Sequence, residues 1–343
     1  MPYIFTAFVI VILNGLIHGE RGLQVFLRTY LLLLSFNWYL SVVLTIKGQK
    51  LPNIFENVKK DLSFYSRLQI WMLVASVSLW RRYHPQHQTV FYADDITLEY
   101  LSDFNILHLW NEVRPLSYPE KIDREIFWSS PKTKIISETE IPLLLVDHDF
   151  LIFRNIDEHL ADKLIYSYDE RADNWYPSVN DADSCKLTTP INRINDLAAN
   201  VSFFYLPDPA FAKKYGKQVL KNHEEFTAMN SPYVTTNHMI LSEQLMLKQW
   251  LCSDNVPNQC LSKNLWDCRK ADFYDGLTES GIWDLRETRR SYKHYGVEER
   301  RIRERQAGYN YNETIAFLKR CVTAGKLIDV TELENKINTI TSK

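Results

Sequence analysis

The residues best placed to do chemistry are Asp147 and Asp149, in the stretch LLLVDHDFLIF. Two carboxylates one residue apart, in a chain just leaving a strand, can turn towards one ion. Hard oxygen donors of this kind suit Mg²⁺ or Mn²⁺, which in turn hold diphosphate oxygens. An Asp pair alone is common on solvated loops. Here the pair lies between two strongly apolar runs, 142–146 and 150–153, where unpaired carboxylates are costly unless a cation or hydrogen bonds hold them. His148 lies between them and either faces a ligand or packs. Asp94 and Asp95 follow a short apolar segment, TVFYA, and suit either a hydrogen bond to a ribose or base, or the cap of a following helix. Glu243 and Gln244 sit in a helical pattern. There a carboxylate can act as a general base or hold sugar hydroxyls, and the alternative is a solvated helix face.

These residues need elements to position them. The run 142–146 (PLLLV) reads as a strand buried on both faces. In open α/β sheets, ligands bind beyond the carboxyl ends of the strands, which is where Asp147 and Asp149 fall. Other strands are expected at 42–46, 89–93 and 201–206. Thr45, at the end of the first, is a candidate contact to a base. Helical periodicity runs over 53–82, with Leu62, Tyr65, Leu68, Met72 and Trp80 among its apolar positions, and stops at His84-Pro85. Further helices are expected at 96–109, within 122–136, and at 211–222, 237–250 and 312–324. Residues 169–192 read as a loop, and 267–305 are charged and aromatic with weak periodicity. Strands alternating with helices point to an α/β protein with a mainly parallel sheet.

The chain has 343 residues, enough for one large α/β domain. A composition of 45% hydrophobic and 24% charged residues is that of a folded globular protein. The net charge of −2 argues against nucleic acid as a partner, which calls for a basic footprint. Aromatics at 13% suit either stacking on flat rings or a Tyr-rich core. None of the five cysteines forms a CxxC pair, so a zinc site is not expected. Free thiols are expected, although the even spacing of Cys252, Cys260 and Cys268 would allow one bridge. Asn200 and Asn312 begin short glycosylation patterns of low specificity. The apolar runs 3–17 and 30–46 suit a signal anchor or buried helices and strands, so membrane association and a cytoplasmic location both stay open. The division expected is a hydrophobic segment at 1–41, a catalytic domain at 42–330, and a polar tail at 331–343.

The stretch 134–156, KIISETEIPLLLVDHDFLIFRNI, resembles the DxD region of glycosyltransferases of the GT-A fold, in which a helix precedes a strand ending in Asp-x-Asp and an apolar segment follows. VFYADD (90–95) is similar to the strand those enzymes use on the nucleotide side. NVSFFY (200–205) is similar to their acceptor-side strand, and Ser242-Glu243-Gln244 to the acidic/Gln pair on the helix beyond it. Lys293-His294-Tyr295-Gly296 resembles the late His-x-Gly segment that closes on metal and diphosphate. The likeness runs in order over 42–300. It implies a Rossmann-like, GT-A-like domain that transfers a sugar from a UDP- or GDP-sugar to a glycan, lipid-linked or protein hydroxyl. Asp147, Asp149 and His294 would hold Mn²⁺ or Mg²⁺. Asp147, Asp94, Asp95 and Thr45 would contact the nucleotide, and Glu243 and Gln244 would position the sugar or the acceptor. The chain departs from the pattern in having His148 inside the DxD. It also lacks the Lys that often follows the late Gly, a role left to Lys293, Arg300 or Arg301. A metal-dependent nucleotidyltransferase and a non-catalytic membrane-associated binding protein are the alternatives; the first usually carries an early Gly-rich phosphate loop, which is absent from the sequence.

Overall fold

The computed structural model describes residues 55–93, 95–124, 126–171, 183–191, 197–267, 272–277, 281–295 and 310–341. The expected strand at 42–46, Thr45, Asp94, Gly296, Arg300 and Arg301 lie outside them, as do both apolar runs near the start of the chain. Among the described residues no helix is long and apolar enough to cross a membrane.

The scaffold begins with α1 (Phe55–Tyr83), close to the span that its periodicity predicts. Leu68, Trp71, Met72, Ala75 and Leu79 are buried, and so are Ile70, Val74 and Val77. A helix apolar on most sides is enclosed on most sides. Its neighbours in one cluster include β1 (Val90–Ala93), which pairs parallel with β2 (Glu112–Pro115), α2 (Asp95–Asp103), α8 (Tyr311–Gly325) and α9 (Val330–Thr341). The expected helix over 96–109 is shorter than its pattern. Asn105 takes φ 54, a left-handed conformation that ends an α-helix, and only a 3-10 turn, Leu107–Leu109, follows. The segment read as a polar tail is helical: Leu333 and Ile337, four residues apart, are fully buried in the α1 cluster.

The main sheet has seven strands in the order β10-β7-β5-β6-β3, with β8 and β9 joined through β5. They are β3 (Leu143–Val146), β5 (Leu164–Arg171), β6 (Leu197–Leu206), β7 (Asn258–Ser262), β8 (Asn264–Asp267), β9 (Asp272–Leu277) and β10 (Gly281–Trp283). The architecture is mixed α/β. β5 is parallel to β7 and β8, and β7 to β10, whereas β6 runs antiparallel to both β3 and β5 and β9 antiparallel to β8. The expectation of a mainly parallel sheet is corrected to a mixed one. β3 and β5, both antiparallel to β6, run parallel to each other, joined by a connection that holds the short β4 (Phe150–Ile152) and a 3-10 turn, Asp157–His159; β6 is the strand that reverses direction between them. β3 also departs from its reading as a strand buried on both faces. Among the described residues it pairs with β6 alone, at the edge, and all four of its residues are half-buried.

One face of the sheet is covered by α3 (Ser130–Glu138), α4 (Pro209–Met229), α5 (Thr236–Ile240) and α6 (Met246–Ser253). Asp208 caps α4 through the Ala210 N–H. Against the other face lies a ribbon of β4 with β11 (Tyr292–His294), together with Trp80 from α1. β11 follows α7 (Leu285–Ser291), which opens on a capping box of Asp284 and Glu287.

Candidate functional site

The strand that carries the Asp pair ends where its ladder ends. The Asp147 N–H still donates to the Ser202 carbonyl of β6 at 2.8 Å, and the Phe150 N–H then donates back to the Asp147 carbonyl at 3.0 Å. This tight turn lifts His148 into solvent, where it is exposed, and directs the chain into β4. β4 is anchored twice. The Ser76 hydroxyl of α1 donates to the Phe150 carbonyl at 2.9 Å, and β11 pairs with β4 antiparallel, setting His294 opposite Phe150.

That pairing brings His294 to Asp149. Nε2 of His294 lies 3.5 Å from Oδ2 of Asp149, with both side chains largely buried. The Tyr295 N–H donates to the Asp149 carbonyl at 3.0 Å, fixing the two segments together. Burial pushes the Asp149 carboxyl up, but the His294 imidazole beside it, with His148 adding to the effect, holds it well below the usual carboxylate range. The partner moves the other way. Burial lowers His294, while Asp149 first, then Asp147 and Glu170, raise it above the ordinary histidine value. Nε2 also lies 3.0 Å from the Ser202 hydroxyl, which itself donates to Oδ1 of Asn200 at 2.7 Å, and Nδ1 lies 2.8 Å from the Tyr168 hydroxyl.

Asp147 has a different cation. Lys132 of α3 donates to its Oδ1 at 2.7 Å and to the Val201 carbonyl at 2.8 Å. Lys132 shares a helix face with Thr133 and with Ser129 at the helix start, the i, i+3 and i+4 positions that a helix places side by side. Both hydroxyls are bonded to Oε1 of Glu243, Thr133 at 3.3 Å and Ser129 more closely. Glu243 is buried, and its pKa is raised: burial dominates, Asp147 adds to it, and Lys132 and the Ser129 hydroxyl oppose it. Lys132 therefore stands between the two carboxylates, and α3 links the Asp pair to Glu243. Glu243 occupies a single π-helical turn, Leu241–Leu245, set between α5 and α6. Such wide turns often occur at functional sites. The Ser242 hydroxyl donates to the His238 carbonyl, and the Tyr215 hydroxyl to the Glu243 carbonyl.

The expected residues thus divide. Asp147, Asp149, His294 and Glu243 belong to one connected cluster, and Gln244 is half-buried on the same π turn. Lys293 faces away from it. Neighbours on a strand point to opposite sides, and the Lys293 ammonium lies 4.5 Å from the centre of the Tyr295 ring and 5.8 Å from that of Phe317. Asp95 is exposed at the first turn of α2, where an acid complements the helix dipole. Cys252 is exposed and Cys260 buried, both as free thiols, and Cys268 lies outside the described residues. Lys132, Ser129, Thr133, Tyr168 and Ser202 were not expected from the sequence. The i, i+3, i+4 set Ser129/Lys132/Thr133, one helix ahead of the Asp pair, was the readable signal.

The donor set fits a divalent cation in part. Two ligands each about 2.1 Å from one ion, at a right angle or somewhat wider, stand about 3–3.5 Å apart. Asp149 and His294 are at that separation. Asp147 is bonded to Lys132, and among the described residues no three His, Cys, Asp or Glu side chains form a cage for an ion. An ion here would have Asp149 and His294 as its protein ligands only once Nε2 of His294 gave up the hydrogen that the Ser202 oxygen accepts, and Asp147 only by sharing or releasing Lys132. No family model matches this chain, and no curated protein matches it in sequence.

Proposed function

We propose that this chain is a divalent-cation-dependent glycosyltransferase of GT-A type, which moves a sugar from a nucleoside-diphosphate sugar to a hydroxyl acceptor. The observation that supports this reading is the meeting of Asp149, in the turn between β3 and β4, with His294, from a segment far along the chain, at 3.5 Å. The resemblance in sequence implies that pairing, and neither apolar packing nor helix capping accounts for it.

When bound, the cation neutralises charge on the departing diphosphate. Asp149, kept ionised by its surroundings, and His294 would hold it. Asp147, with Lys132 on its Oδ1, borders the same space and gives the site a fixed positive charge as well as a negative one. Glu243 is the candidate base: its raised pKa brings it towards the working pH, where it can take the proton of an acceptor hydroxyl. Gln244 is a candidate donor and acceptor to sugar hydroxyls. The sugar, the base of the nucleotide and the acceptor, whether glycan, lipid-linked sugar or protein, follow from experiment.

The test is a thermal-shift screen of nucleoside diphosphates and nucleotide sugars, with and without Mn²⁺, on the wild type and Asp149→Ala. A ligand that binds only the folded state raises the midpoint. A Mn²⁺-dependent shift with one nucleotide, lost in the variant, is expected. A folded protein that no nucleotide shifts would sink the reading, and a shift confined to nucleoside triphosphates would point to nucleotidyl transfer instead.

A further inference from the structure

Helix α3 opens on a serine that does not cap it. Ser129 stands at the cap position, where a serine hydroxyl ordinarily accepts an N–H of the first turn, and it makes no such bond. Its hydroxyl donates instead to Oε1 of Glu243, on the π turn, 114 residues along the chain. Thr133, one turn further along the same face of α3, donates its own hydroxyl to the same oxygen at 3.3 Å. All three side chains are buried. Departures from a local rule of this kind concentrate at functional sites.

The two oxygens of Glu243 are thereby made unequal. Oε1 takes both hydroxyls, whereas Oε2 takes a bond from no described residue and is not sealed off from solvent. A carboxylate oxygen on a buried side chain is costly without a donor, so Oε2 calls for one from outside the chain. The π turn fixes where this oxygen stands. Two further hydroxyls hold its backbone, Ser242 on the His238 carbonyl at 2.8 Å and Tyr215 on the Glu243 carbonyl at 3.0 Å.

We propose that Ser129 and Thr133 are positioning residues: by occupying Oε1 they turn Oε2 of Glu243 to the acceptor hydroxyl and hold it ready to take that proton. This rests on the transfer of the proposed function and assigns its proton to one oxygen. As the acceptor oxygen bonds to the sugar carbon, the sugar–diphosphate bond breaks with its electron pair going to the diphosphate, and the acceptor proton passes to Oε2. Neutral donors suit this place. A hydroxyl donating to a carboxylate favours the charged form, so the pair offsets part of the effect of burial without adding a fixed charge. The other groups facing Glu243 are Lys132 of α3 and Asp147 at the end of β3, which act in opposite directions, and the phenols of Tyr118 and Tyr215.

The test follows the carboxyl itself and then the reaction. Infrared difference spectra of the full chain against Glu243→Gln isolate the band of the protonated Glu243 carboxyl. Its loss with rising pH is read for the wild type, Ser129→Ala, Thr133→Val and Thr133→Ser, with thermal midpoints as the control for folding. Release of nucleoside diphosphate from UDP- and GDP-sugars gives kcat and KM over the same pH range. In Ser129→Ala the band should persist about one pH unit higher, the size of losing a hydroxyl bond to a charged group. On the rising limb kcat should fall about tenfold with it, while KM for the donor stays. Thr133→Val should move both by less, and Thr133→Ser, which keeps the hydroxyl, by less again. In the Glu243→Gln background Ser129→Ala should not lower the residual kcat further, because the serine acts through the carboxyl. An unmoved band in Ser129→Ala would overturn the proposal, as would an equal fall in kcat with and without Glu243, which is what a merely structural role gives. A folded wild type that releases no diphosphate from any donor would instead remove the transfer itself, and with it the reading beneath this one.

Discussion

Asp149 and Glu243 are both buried carboxylates at the edge of one sheet, and their surroundings drive them in opposite directions. Asp149 sits on the ribbon side, against an imidazole, and is held ionised. Glu243 sits on the helix side, against two hydroxyls and at a remove from Lys132, and is pushed towards its protonated form. Burial acts on both alike. The difference is the nearest group: a partner able to carry positive charge beside one, neutral donors beside the other. Pairs of carboxylates separated in this way mark distinct roles, one a fixed negative charge and one a group that gains and loses a proton. Asp147 and Lys132 lie between them and act on both.

Each side of this contrast can be broken separately. The largest expected effect is at Asp149. Asp149→Asn removes the negative charge and should lower transfer by about 10²- to 10³-fold, the scale of losing one electrostatic stabiliser. It should abolish Mn²⁺ binding while leaving the fold intact by circular dichroism. Next is Gly216→Ala, aimed at the other side. A Cβ at Gly216 would stand 2.6 Å from the Ser137 nitrogen and 2.8 Å from its Cα, so α4 and α3 must separate. Overpacking of this kind costs about 1–3 kcal/mol, readable in urea unfolding. Because α3 carries Ser129, Lys132 and Thr133, transfer should fall further than Mn²⁺ affinity does. An equal fall in both would show that the two sides are not separable.

Lys132→Met leaves Asp147 without its cation. The pair is partly exposed, with about a third of the Asp147 side chain in solvent, so stability should drop by only about 1 kcal/mol. Removal of a charge that opposes the rise at Glu243 should move the alkaline-going limb of the activity profile to higher pH. The smallest effect expected is in the pH dependence of stability at Glu243. A carboxyl whose folded pKa is raised contributes stability that is full below the unfolded pKa and is lost as pH rises through the folded one. Glu243→Gln should therefore remove that loss and flatten thermal midpoints plotted against pH above the ordinary glutamate range. A wild type and variant with parallel profiles would contradict the assignment.

How far the sequence discloses all this differs between the same two sides. Asp147 and Asp149 were legible because apolar runs flank them and leave few other ways to hold two charges. α1 and α8 were legible from long periodic faces, ended in α1 by His84-Pro85. β5 was not, because its ladder slips at Ser167, which faces three residues of β6, and Tyr168, Asp169 and Glu170 beyond it are all buried, so no polar–apolar alternation marks the strand. α9 was not, because only Leu333 and Ile337 among its polar residues are buried. The mixed sheet was not, because the reversal lies at β6, whose apolar run carries no mark of its direction. Lys132 has a helical spacing with Ser129 and Thr133, but nothing in its own neighbourhood shows that its helix packs beside the end of β3.

The central claim is that Asp149 and His294 hold a cation that serves sugar transfer. Its most direct test is the release of nucleoside diphosphate from a panel of UDP- and GDP-sugars, incubated with the full chain in Mn²⁺ and again in excess chelator. The account predicts release from one donor class, lost on chelation and in His294→Asn. Release that is indifferent to the chelator would contradict it, as would a folded chain that binds and cleaves none of the donors.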